Sequence, residues 1–116
     1  MEELSVRDIV FVNFPFSNLK DAKLRPAVIL ADAQKGDWIL CQITSKSYAD
    51  PKSIEINQCD FETGSLSITS YIRAAKIFTA HESIISKKAG RLKQRPHQQV
   101  IDTIIHLLSN DDTYQG

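Results

Sequence analysis

Apolar and polar positions divide the chain into short segments, most of them strand-like. Residues 8–14, DIVFVNF, run Ile, Val, Phe, Val almost without interruption, the pattern of a strand with little face left for water. Residues 15–23, PFSNLKDAK, carry Pro15, Ser17, Asn18 and Asp21 and read as a loop. Residues 25–31, RPAVILA, form the next strand, and residues 38–45, WILCQITS, the third; between them QKGD (34–37) is a turn signal. Two such strands around such a turn predict an antiparallel hairpin. KSYADP (46–51) is a polar loop. KSIEIN (52–57) alternates Ile54 and Ile56 with polar residues, as a half-buried strand does. QCDFETGS (58–65) carries turn residues and Gly64. SYIRAAKIFTA (70–80) reads as a strand with a bend at Ala74–Ala75, and SIISKKAGRL (83–92) as a short strand with a turn at Gly90.

The last segment changes period. In residues 95–109, RPHQQVIDTIIHLLS, Val100, Ile101, Ile104, Ile105 and Leu108 recur at helical spacing and define one apolar face. Pro96 suits the first turn, where its missing N–H costs nothing. Residues from about 109 form a polar tail. About six or seven short strands and one C-terminal helix predict a mainly β chain, a small twisted barrel or two packed sheets with a covering helix. The whole of residues 1–116 is read as one domain, the ordinary size for a chain of 116 residues.

Composition narrows the classes. Hydrophobic residues make up 42% of the chain, enough for a core, and no apolar run is long enough to span a bilayer. The N-terminus, MEELSVRD, is acidic and has no apolar stretch of the kind a secretory signal carries. Cys41 and Cys59 show no metal-like spacing and are read as two buried free thiols of a cytoplasmic protein. Net charge is zero, which alone argues against nucleic acid, but the distribution is uneven. Residues 71–95 hold seven basic side chains, Arg73, Lys76, Lys87, Lys88, Arg91, Lys93 and Arg95, against one acid, Glu82. Such a chain can present one positive face, unless these are simply solvated surface groups.

Candidate chemistry concentrates at the hairpin. Pro26 cannot donate to a ladder and is expected at the strand's first residue, which leaves Arg25 where the loop enters the sheet. Its guanidinium is a rigid fork of donors that matches phosphate oxygens; the plainer alternative is an ion pair with Asp21 or Asp50. In the antiparallel hairpin the start of one strand lies beside the end of the other, so Arg25 neighbours Thr44 or Ser45. Hydroxyls there can also be mere turn formers. His97 and His106 fall nine residues apart in the predicted helix, a spacing read as roughly one side, and a His pair can run acid–base cleavage of RNA; with His81 they are otherwise surface groups. No Gly-rich phosphate loop, HExxH or CxxC motif is present.

The ordered motifs DIVFVNFPFSNLKDAKLRPAVIL, then ITS, SYIRAAKIFT and AGRL before a C-terminal helix, resemble the MazF/PemK toxin family over roughly residues 5–108. The resemblance implies a small SH3-like barrel of the MazF/Kid/CcdB type, a homodimer, and the toxin of a type II toxin–antitoxin pair. Such toxins are cytoplasmic endoribonucleases that cleave single-stranded RNA, mostly mRNA, at short motifs. They need no metal or other cofactor, are neutralised by a cognate antitoxin, touch operator DNA only in complex with it, and have no membrane association. The recurrent catalytic positions fall on Arg25 and Thr44, with Ser45 adjacent. Residues 14–24 would shape the RNA groove, with Phe16, Lys23, Ser47, Tyr48, Arg73 and Lys76 as RNA contacts and Tyr71 as a further stacking surface. One position departs from the pattern. Some members with an arginine corresponding to Arg73 carry an acid two residues on, and Ala75 stands there in this chain. The alternative implied by a gyrase-poisoning relative of the same fold is a catalytically weak barrel that binds nucleic acid or protein.

Overall fold

The computed structural model of the chain describes residues 3–14, 23–47 and 51–109. Seven strands and one helix follow in order: β1 (Asp8–Phe14), β2 (Lys23–Gln34), β3 (Asp37–Thr44), β4 (Ser53–Ile56), β5 (Phe61–Gly64), β6 (Ser70–His81), β7 (Ile85–Leu92) and α1 (Gln94–Leu108). All pairings are antiparallel, in the order β4-β6-β3-β2-β1-β7-β5. The sheet does not close on itself, and β4 and β5 are its edges. The mainly β architecture with a C-terminal helix is therefore as expected, with an open sheet in place of a sealed barrel.

Successive residues of a strand face opposite sides, and here both sides of the central strands are covered. Ile9, Val28, Cys41, Ile43 and Ile72 join one buried cluster with Val100 and Ile104 of α1. Val10, Val12, Ala27, Ile29 and Leu40 join another with Ala80 and Ile85. Burial on both faces explains why β1 and β2 read as unbroken apolar runs while β4, at an edge, alternates. In β6, Cys41 pairs with Ile77 and Ile43 with Ile72, so four residues (73–76) stand opposite Gln42 alone. The predicted bend at Ala74–Ala75 is the middle of this bulge.

Several local expectations are corrected. Residues 58–65 contain a short 3-10 turn (Gln58–Asp60) and the edge strand β5. Gly90 lies inside β7, paired with Gly64 of β5. A side-chain carbon on either glycine would collide with the other strand's backbone, at Ala89 or Thr63, so two glycines let β5 and β7 approach. Cys41 is buried and Cys59 exposed, both free thiols. The apolar stripe of α1 runs through His97, Val100 and Ile104, with Leu107 packed against the core. Each residue advances a helix by about 100°, which turns Ile105 off this stripe and leaves it 55% exposed, while Leu108, the last residue of the helix, keeps the stripe's direction but is 78% exposed. By the same geometry nine residues make about two and a half turns, so His97 and His106 lie on opposite sides of the helix.

Asp8, which the sequence did not single out, and His97, expected as a surface group or half of a His pair, are both buried. Asp8 is fully buried at the start of β1. Its carboxylate takes Arg91 Nε at 3.1 Å, Lys88 Nζ at 3.3 Å and the backbone N–H of Ser5 at 2.8 Å. A buried charge needs this degree of pairing, and two of the seven basic residues of the 71–95 segment are thereby occupied in holding β7 to β1.

The ring of His97 packs against the sheet and its Nε2 lies 3.2 Å from Ile29 O. A carbonyl can only accept, so Nε2 carries the proton. Burial lowers the pKa below 6.5; the hydrogen bond to Ile29 opposes this, and the Arg7 charge adds to it. The imidazole is held neutral in the folded chain and protonates more readily when unfolded. Its contribution to stability is complete above about pH 6.5 and is lost as pH falls below that value. Urea unfolding is expected to show declining stability from pH 7 to pH 5, with a shallower decline in His97→Gln, whose amide still donates to Ile29. Equal slopes would contradict the neutral buried imidazole.

Candidate functional site

The β2–β3 hairpin builds the site. Its ladder runs from Gln34↔Asp37 at the turn to Ala27↔Gln42. The same register carried two residues further sets Arg25 opposite Thr44. The ladder stops at Ala27 because the next residue, Pro26, has no N–H. Pro26 is not the first residue of β2, as expected, but the fourth. It is paired with Phe11 of β1 at a point where β3 is no longer a partner.

Where the ladder stops, a cleft of about 400 Å³ opens. Lys23, Leu24, Arg25 and Pro26 line it from β2, Ile43 to Lys46 from the end of β3, and Phe11 from β1. Leu66, Ile68 and Ser70 close the other side. Lys23, Arg25, Ser45 and Lys46 are exposed and Thr44 is half-buried. Leu24 and Ile68 leave apolar surface at the mouth, 49% and 63% exposed.

Thr44 Oγ1 accepts the backbone N–H of Lys46 at 3.2 Å. That fixes the hydroxyl oxygen and leaves its O–H to donate outward. The described lining residues include three cations, Lys23, Arg25 and Lys46, and no carboxylate or imidazole. Such a cleft suits an anion with several oxygens, such as a phosphodiester. Among the described residues no three His, Cys, Asp or Glu side chains converge as a metal site.

Of the residues singled out by sequence, Lys23, Arg25, Thr44 and Ser45 come together here. Ser47 is exposed just beyond the cleft lining. Arg73 and Lys76 lie on the β6 bulge and do not line it; Arg73 pairs in register with Ser53 of β4, and its carbonyl accepts the Cys41 thiol at 2.8 Å. Tyr71 is half-buried opposite Thr44. Phe16, Tyr48, Asp21 and Asp50 lie outside the described residues. The ion-pair reading of Arg25 with either acid falls there too.

A family model for PemK-like, MazF-like toxins of type II toxin–antitoxin systems matches residues 5–108. The chain belongs to this family. Among solved structures, the chain is similar to MazF in a MazE–MazF complex from Deinococcus radiodurans. There the TM-score is 0.69 and identity 15%, over 91% of this chain and 95% of that one. It is similar to the Mycobacterium tuberculosis toxin MazF-mt6, with TM-score 0.67 and 13% identity over 88% and 96% of the two chains. It is also similar to an endoribonuclease in complex with its cognate antitoxin from a mycobacterial species, with TM-score 0.65 and 14% identity over 90% and 92%. At these identities the likenesses show the fold. No curated protein sequence matches the chain.

In this PemK/MazF-like chain a second, larger groove of about 840 Å³ runs between residues 51–54 and the outward face of α1, lined by Arg95, Gln98, Asp102 and His106 among others. Its charges are mixed, and Gln98 is tied to Asp102 at 2.9 Å. It gathers none of the residues singled out at the hairpin, so the smaller cleft is the better candidate for phosphate chemistry. Sequence reasoning missed Lys46, Ile43, Leu66, Ile68 and Ser70. Lys46 was within reach, since it directly follows Thr44–Ser45. The 65–70 segment was not, because pairings between strands distant in sequence, β5 with β7 and β6 with β3, bring it beside the hairpin.

Proposed function

We propose that this toxin-family chain is a metal-independent endoribonuclease that cuts single-stranded RNA, with Arg25, Thr44 and Ser45 at the cleavage centre. The observation that carries the proposal is the cleft itself. Three cations and the Thr44 hydroxyl surround one small volume from which acids are absent among the described residues.

Cleavage without a metal uses the neighbouring 2′-OH as nucleophile. The 2′-oxygen gives up its proton to water and bonds to phosphorus, negative charge grows on the non-bridging oxygens, and the bond from phosphorus to the 5′-oxygen breaks as that oxygen takes a proton from water. Arg25 donates to the oxygens that gain charge, and preorganised donors of this kind are usually the largest single catalytic term. Thr44, with its oxygen held by the Lys46 N–H, turns its proton to a phosphate oxygen, and Ser45 adds a second hydroxyl. Lys23 and Lys46 hold the flanking phosphates. The product is a 2′,3′-cyclic phosphate, and DNA, which lacks the 2′-OH, is spared. Among the described residues the cleft lining offers no carboxylate or imidazole to serve as general base, and Ala75 does not provide one; the His97–His106 pair is excluded because the two rings lie on opposite sides of α1.

The proposal extends to partners. Two of the similar structures are of toxins held together with antitoxins, which supports a cognate antitoxin for this chain; a cytoplasmic location, and operator DNA bound only by the toxin–antitoxin complex, are further parts of the proposal. A homodimer is supported by exposed apolar side chains: Ile105 and Leu108 of α1, Ile77 of β6, and Ile84 just before β7. Light scattering at micromolar concentration is expected to give twice the monomer mass; a monomer throughout would contradict it.

Cleavage of a fluorogenic chimeric oligonucleotide in EDTA tests the chemistry. The parent is expected to cut undiminished. Arg25→Ala, still folded by circular dichroism, should cut about 100-fold more slowly or worse. Thr44→Ala should lose less, since a neutral hydroxyl bonds phosphate more weakly than a guanidinium. Arg73→Ala, outside the cleft, should weaken binding and its salt dependence more than the cutting rate. Dependence on Mg²⁺, or a fully active Arg25→Ala beside a dead Arg73→Ala, would contradict the assignment.

A further inference from the structure

Beside the cleft lies a second pocket of about 300 Å³, lined by Asn57, Gln58, Phe61 and residues 65–69. The two share Leu66 and Ile68 as a common wall. We infer that this pocket reads one unpaired base of the strand whose phosphate lies at Arg25 and Thr44; the inference rests on the RNA-cleaving reading of that cleft.

The pocket has the parts a base reader needs. Phe61 and Leu66 give it an apolar floor, and the exposed Ile68 stands between it and the cleft as a surface for stacking. Its volume is at the lower end of the range for ligand pockets, about 300–1,000 Å³, room for a base rather than a folded nucleotide pair. At its rim are two carboxamides whose orientations are fixed.

Asn57 Oδ1 accepts the backbone N–H of Cys59 at 3.2 Å and the Cys59 thiol at 2.8 Å. A backbone N–H only donates, so the amide cannot be turned over and Nδ2 is left as a donor. Gln58 Nε2 donates to Gly64 O at 3.2 Å. A carbonyl only accepts, so Gln58 Oε1 is left as an acceptor. Among the described residues these two atoms have no other hydrogen-bond partner. The frame behind them is stiff. Gly64 packs against Gly90 with no room for a side chain, Ser65 Oγ accepts the N–H of Ser67 at 2.8 Å, and Ser67 itself sits at φ 68°.

One fixed donor beside one fixed acceptor selects the base edge that presents an acceptor to Asn57 and a donor to Gln58. Unpaired bases are read on their Watson–Crick or Hoogsteen edges in this way. A base with the opposite order leaves a carboxamide group unpaired against its floor, which is costly.

The test maps cut sites on a random-sequence RNA pool by sequencing fragment ends. Asn57→Asp keeps the oxygen that accepts from Cys59 and replaces the donor; Gln58→Leu removes the acceptor. Both are expected to relax the preference at the same single position by about 10-fold or more. Cutting at the preferred sequence should fall, while cutting at sequences that differ from it only at that position stays close to the parent's, with circular dichroism confirming the fold of each variant. Variants that keep the parent's full preference while the parent cuts selectively would overturn the pocket's role and leave the cleavage reading standing. If the parent cuts nothing, the cleavage reading fails. The pocket is then judged by binding of 2′-O-methyl oligonucleotides differing in one base, where equal discrimination by parent and variants would overturn it.

Discussion

The end of the β2–β3 ladder at Pro26 is the constraint on which the candidate site depends. Up to Ala27↔Gln42 the two strands are locked by backbone hydrogen bonds. One residue later the missing N–H ends that pairing, while β1 still holds Pro26 through Phe11. The chain is therefore rigid on one side and open on the other. Arg25 and Thr44 are neighbours in register without being covered by a ladder, and the space between them is a cleft rather than a continuous sheet.

The rest of the fold keeps that point in place. Both faces of β1, β2 and β3 are buried, so slipping the register by one residue would exchange two packed apolar sets. The Asp8 carboxylate, bound by Lys88, Arg91 and the Ser5 N–H, ties β1 to β7. β7 in turn holds β5 through the close approach of Gly64 and Gly90, and β5 leads into residues 65–69 that wall the cleft and the neighbouring pocket. A chain of short contacts thus runs from a buried ion pair to the cleft's far wall. α1 covers the opposite end of the first core cluster and presents its polar side to the larger groove.

Much of this was legible in the sequence because local rules were enough. The hairpin, the bend in β6 and the helix each follow from period and turn residues, and the juxtaposition of Arg25 with Thr44 follows from strand lengths alone. What was hidden depended on tertiary pairing. β5 has four residues and no apolar alternation, so nothing in FETG marks a strand until β7 pairs with it. Gly90 reads as a turn locally and is a close-approach site only because Gly64 lies opposite. The surplus of cations in residues 71–95 suggested one positive face, yet Lys88 and Arg91 face a buried acid from the other end of the chain. Ile105 and Leu108 continue an apolar pattern that the core itself does not use.

The central claim is that Arg25 and Thr44 act on one phosphate because the hairpin register makes them neighbours. A double-mutant cycle tests it most directly. Single-turnover cleavage is measured for the parent, Arg25→Ala, Thr44→Ala and the double variant, with folding checked for each. Residues that act as a unit lose their effect together. The double variant should therefore cut about as slowly as Arg25→Ala alone. Losses that multiply in full, as for two independent sites, would contradict the shared phosphate and with it the cleft as the cleavage centre.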